Sequence, residues 1–187
     1  MLFRSLSNAA VDCNVRFLPG RNLLLKKSTF ESAGRFPEHL VTCEDYYFTD
    51  MVHSLGDLYY SSKANYIHLG EDKSFGEMFH KEIWRGQSNL QSIRGRTIPL
   101  SEFPSFLVPM WILLFSLLGL TGLVTQYFDL ALLGLVGSSL PIFIYSLRLK
   151  KIAGRNLLFK DVIRFYLVYF PARIIGTISG LFRVIHV

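Results

Sequence analysis

Residues 40–56, LVTCEDYYFTDMVHSLG, set two carboxylates side by side, Glu44 and Asp45. A carboxylate held beside a reacting hydroxyl can take its proton, which is general-base chemistry. The same pair can cap a helix, because acidic side chains are stabilised at its partially positive amino end. A helix is expected here: Phe48, Met51, Val52 and Leu55 recur on one face, and Gly56 stands where a helix stops. Cys13 and Cys43 lack metal-ligand spacing, and two cysteines make no disulfide framework. Both read as reduced, structural thiols.

The elements that must position this pair carry repeated start signals. STFE at Ser28–Glu31, TCED at Thr42–Asp45 and SFGE at Ser74–Glu77 each put a hydroxyl at the N-cap and a carboxylate at the third helical position. The first helix is a turn or so and ends at Gly34. The third places Phe75, Met78, Phe79 and Ile83 on one face, with His80, Lys81 and Arg85 on others. DLYYSS and ANYIHLG read as short strands, and FLPGRNLLLKK as a strand entered from a Pro-Gly turn. The expected order is strand, short helix, helix, strand, strand, helix, an α/β piece of about 100 residues, small for its entropy cost.

Half of the 187 residues are hydrophobic, and the mean hydropathy is +0.31. Charge is unevenly spread: between Glu102 and Arg148 only Asp129 is charged. The net charge of +6 does not point to nucleic acid, since no Lys/Arg run exceeds two and the basic residues flank apolar segments. Phe106–Thr125 is an uncharged run matching the thickness of a bilayer core, and Leu130–Leu147 is a second, ending in RLKK. The short polar break TQYFD makes them an antiparallel hairpin, expected at 103–147. Arg148, Lys150 and Lys151 put its exit on the cytoplasmic side, and therefore its entry too. The opening residues MLFRSLSNAAVDCN are too polar for a signal-peptide core, which also leaves 1–102 cytoplasmic. Asp129, at the turn rather than mid-span, argues against a transporter or channel. In the tail, 148–187, Arg173, Gly176, Thr177, Gly180 and Arg183 share one helical face opposite bulky apolar residues. That pattern favours an interfacial amphipathic helix over a third span, and GTISG supplies a G-x-x-x-G for close helix contact.

From Leu18 to Ser88 the chain resembles the carboxy-terminal part of the catalytic domain of family 2 glycosyltransferases, which have the GT-A fold. LPGRNLLLKKSTF, SAGRFPEHL, TCEDYYF, HSLGDLYYSSKANYIHLG and KEIWRGQS resemble five family segments in the family's order, followed by a membrane hairpin. The resemblance implies roles. Asp45 matches the base that deprotonates the acceptor, and Glu44 would orient its surroundings. Asn22 matches the asparagine of the family's glycine–x–asparagine strand, assigned to substrate. Trp84 and Arg85 match a segment contacting acceptor or donor phosphates. His68 matches a ligand of the divalent metal, Mg²⁺ or Mn²⁺, on the donor diphosphate.

The implied protein is a membrane-bound, inverting enzyme of envelope or exopolysaccharide synthesis. It moves a sugar from a nucleotide-sugar to a lipid-linked or saccharide acceptor. Two departures qualify this. The 187 residues contain no Asp-x-Asp, and few residues precede the first match, so the donor-binding half is expected on a longer form of the chain or on a partner protein. The WRGQS order also differs from the Gln-x-x-Arg-Trp pattern of processive synthases, which favours single-sugar transfer. The alternative is a non-catalytic membrane module that binds a partner protein or a lipid carrier.

Overall fold

The computed structural model of the chain describes residues 12–20, 23–40, 42–63, 74–88, 92, 100–154 and 157–185. Its elements are strand β1 (Cys13–Val15), helices α1 (Lys27–Ser32) and α2 (Glu44–Leu55), strand β2 (Leu58–Tyr60), helix α3 (Phe75–Gly86), a 3₁₀ turn (Leu100–Glu102), and three long helices. These are α4 (Phe103–Val124), α5 (Phe128–Ala153) and α6 (Phe159–Ile185). The described fold is mostly helical. Its sheet is one antiparallel ladder, β1 on β2, with Cys13 opposite Tyr60 and Val15 opposite Leu58.

An α/β, GT-A-like domain was expected over 1–102, and the described residues do not form one. DLYYSS supplies β2 as expected, but its partner is Cys13–Val15, a segment without an alternating pattern. Residues 23–26, expected to be in a strand, are irregular; ANYIHLG lies outside the described residues. Apolar residues in this region go instead to one small cluster around α2. Phe48, Val52 and Leu58 are buried there against Val15, Leu18, Leu23, Leu25, Phe30 and Ala33. Phe36 and Phe30 pack on the Phe48 ring at 4.4 and 5.3 Å between centroids.

The cap signals resolve differently at each helix. Ser74 caps α3 as expected, its Oγ accepting from the Glu77 N–H at 3.2 Å. Helix α1 starts one residue before Ser28, with no side-chain cap, and runs into Gly34 at φ +85°. Helix α2 starts after Cys43, at φ +64°, so Thr42 is not its cap. Its far end stops at Gly56 as expected, but Leu55, expected on the buried face, is exposed. Thr49 and Asp50 are buried in its place.

Helices α4 and α5 form the expected hairpin, broken at Thr125–Tyr127. Gly119 and Gly122 of α4 face Gly134 and Ala131 of α5 with the backbones in contact; a Cβ on Gly119 would stand 3.3 Å from the Gly134 Cα. Small residues permit this approach where lipid offers no hydrophobic drive for association. The Trp111 indole N–H adds a bond across the pair, to the Gly137 carbonyl at 3.0 Å. Helix α6 is continuous through Pro171. Its first half packs Val162, Tyr166 and Phe170 on Ile112 of α4 and Leu149 of α5. Three helices, α4, α5 and α6, are thus long and apolar enough to cross a membrane.

Candidate acid/base site at the start of helix α2

Helix α2 is held by the segment 16–20, which runs back along its first two turns. The Arg16 Nε donates to the Asp50 carboxylate at 2.9 Å, and Asp50 is only 8% exposed. One turn earlier, Phe17 stacks on Tyr46 with centroids 4.7 Å apart. At the helix start Gly20 meets Asp45: a Cβ on Gly20 would stand 3.4 Å from the Asp45 Cβ. Gly20 N–H points to Asp45 Oδ2 at 3.5 Å, a long contact, while Oδ1 accepts from the Tyr46 N–H at 2.8 Å. Asp45 is therefore an oriented, half-buried carboxylate in the first turn of a helix, where the macrodipole favours negative charge. Glu44 is the first helical residue, also half-buried.

Thr42 does not cap α2 because it is engaged elsewhere. Its hydroxyl donates to the Arg85 carbonyl at 3.1 Å, and its N–H donates to the Ser88 hydroxyl at 3.2 Å, across 46 residues. The left-handed turn at Cys43 then swings the chain from this anchorage into α2. The TCED and WRGQS segments, far apart in sequence, are so brought together. Trp84 is 48% exposed on the outer side of α3. The Arg85 guanidinium pairs with Glu82 on its own helix, and Arg173 of α6 approaches the second Glu82 oxygen at 3.8 Å. Glu82 is 8% and Arg173 10% exposed at the side chain.

Of the six residues singled out in the sequence, Glu44 and Asp45 follow the Thr42 anchorage, whose bonds reach the backbone of Arg85, next to Trp84. Asn22 and His68 lie outside the described residues. Of the further residues that hold these segments, Thr42, Gly20 and Ser88 carried no signal of that role in the sequence. Glu82 alone was approachable, as a carboxylate three residues before Arg85 on a helix.

Chemically, the arrangement offers one oriented proton acceptor, Asp45, at the start of a helix. Among the described residues no three of His, Cys, Asp and Glu converge to hold a metal ion. His68, the ligand of the divalent metal implied by the resemblance, lies outside those residues. No family model, curated protein or solved structure matches the chain.

Proposed function

We propose that this chain is the acceptor-side portion of a membrane-bound glycosyltransferase. Its soluble module works at the cytoplasmic face of the membrane. The acceptor is lipid-linked or saccharide, and the donor a nucleotide-sugar. Asp45 takes the proton of the acceptor hydroxyl while that oxygen attacks the anomeric carbon from the face opposite the leaving group. The bond from that carbon to the nucleotide diphosphate breaks, the diphosphate leaves with the electron pair, and the configuration inverts. His68 would help to hold a divalent ion, which would supply neutralisation of charge on the diphosphate.

The observation that carries the reading is the Thr42 anchorage. It joins the Asp45 turn to the Trp84–Arg85 end of α3, uniting two segments that resemble the family's base and phosphate-contacting elements. A second reading, a non-catalytic module binding a partner or a lipid carrier, draws on the two-stranded sheet. Such a sheet is far smaller than the parallel sheets at whose strand ends nucleotides bind.

Membranes bearing the protein with whatever precedes it in the native form, given labelled nucleotide-sugars, separate the two. Transfer of label into lipid or saccharide, reduced on the order of 10²–10⁴-fold by Asp45→Asn with an unchanged melting temperature, is the expected result. Full turnover in Asp45→Asn removes Asp45 as the base. Absence of any nucleotide-sugar binding favours the module.

A further inference from the structure

Helix α6 has the length and composition of a span, yet its neighbours give it another place. We propose that α3 and α6 form a parallel two-helix layer lying in the membrane surface, so that the chain crosses twice. The end of α6 then stays on the side of the α1–α2 module, and the partner of the layer is the lipid surface itself. The proposal rests on the hairpin crossing the bilayer and not on sugar transfer.

Three observations carry it. First, α3 accompanies α6 through the middle of its apolar stretch. The Arg164 guanidinium lies 5.7 Å from the Phe75 ring centroid, Glu82 faces Arg173, Gly86 touches Gly176, and Gln87 touches Gly180. The pairing is parallel and close; a Cβ on Gly176 would meet the Gly86 Cα at 2.9 Å. Were residues 164–180 sunk in hydrocarbon, the exposed Glu77 and His80 on the outer side of α3 would go with them. So would the non-helical backbone at Thr42–Cys43, which is bound to Arg85 and Ser88 at this depth. Thr42 itself is buried in protein, but the polar start of α2 that follows it, Glu44 and Asp45, would be drawn toward hydrocarbon with it.

Second, α6 meets only one end of the hairpin. Val108, Ile112, Ile142, Tyr145 and Leu149 contribute to the shared core. Leu120, Leu123, Leu132 and Leu133, toward the turn, remain more than half exposed. A third span would run on beside them. Third, the outer face of α6 changes along its length: Lys160 and Arg164, then Leu167, Pro171, Ile175 and Phe182, all exposed. A basic start followed by an apolar edge suits headgroups and the acyl boundary, and it continues the apolar surface of the hairpin.

Single cysteines at Ser62, Gln126 and Val187, introduced one at a time with Cys13 and Cys43 changed to Ser, are labelled with a membrane-impermeant maleimide. The reagent is applied to sealed vesicles of each orientation carrying the full-length protein. The expected result is that Ser62→Cys and Val187→Cys react from one side and Gln126→Cys from the other. Reaction of Val187→Cys from the Gln126 side means that α6 crosses, and overturns the proposal. Reaction of Gln126→Cys from the Ser62 side means that the hairpin does not cross; that overturns the proposal and the membrane reading together, leaving the transferase reading to its own assay. A nitroxide at Ile175 gives a second readout, expected about 5–10 Å into the boundary region and shallower than one at Leu117. A depth equal to that at Leu117 overturns the in-plane layer.

Discussion

Among the described residues, Asp50 and Glu82 are the carboxylates that the fold buries, and each answers a cation from another part of the chain. Glu82 stands between Arg85 and Arg173, whose Nε is buried without a hydrogen-bond partner. A buried cation deprived of its counter-charge is costly, whereas a pair replaced on both sides by apolar groups often is not. Glu82→Ala is therefore expected to destabilise the α3–α6 contact by about 3–5 kcal/mol. Combining it with Arg173→Met should recover most of that loss. Melting of the detergent-solubilised single and double variants checks this, and additive losses would show that the pair does not act as a unit. Asp45, by contrast, is half-buried and not engaged in this charge network, as suits its proposed role as a base.

Among the elements, α2 depends on one side chain. Phe48 is fully buried, and two aromatic rings close on it. Phe48→Ala is expected to cost about 3–5 kcal/mol. The module is small, so that loss should unfold it while leaving the hairpin helical, a split visible as selective proteolysis of residues 12–63. The hairpin depends on the absence of side chains. A Cβ on Gly134 would intrude on the Gly119 backbone. Gly134→Leu is expected to push α4 and α5 apart at a cost of about 1–3 kcal/mol. Because the Trp111 indole donates across the same seam to Gly137, its fluorescence should report the separation. Unchanged Trp111 emission would mean that the helices shift along each other instead.

At the scale of the whole molecule, a small aromatic-centred module is joined to the long apolar helices by a few hydrogen bonds and close glycine contacts rather than by a shared core. Thr42 to Arg85 and Ser88 is one fastening, and α3 on α6 is the other. The arrangement has a consequence for the transfer assay. Variants of Thr42, such as Thr42→Val, are expected to lower turnover without changing donor affinity, because they loosen the Asp45 turn without touching a donor site. A matching loss of donor binding would place Thr42 in a different role.

The hairpin was legible in the sequence because an uncharged run of spanning length is a local property, and hydrocarbon selects it without reference to any other part of the chain. The α3 cap at Ser74 was legible for the same reason, since donor and acceptor lie three residues apart. The expected face of α2 was half right: Phe48 and Val52 are buried, but Asp50 displaces Leu55 because Arg16, 34 residues away, draws it inward. The pairing of β1 with β2 needed the tertiary structure, as three residues show no usable period. GTISG signalled close contact without naming the partner; the structure supplies α3. Thr42 was read as a cap because a hydroxyl before a helix ordinarily bonds the nearest free N–H. The fold gives it a carbonyl and a hydroxyl from α3 and its end instead, and long-range partners of that kind leave no trace in local spacing.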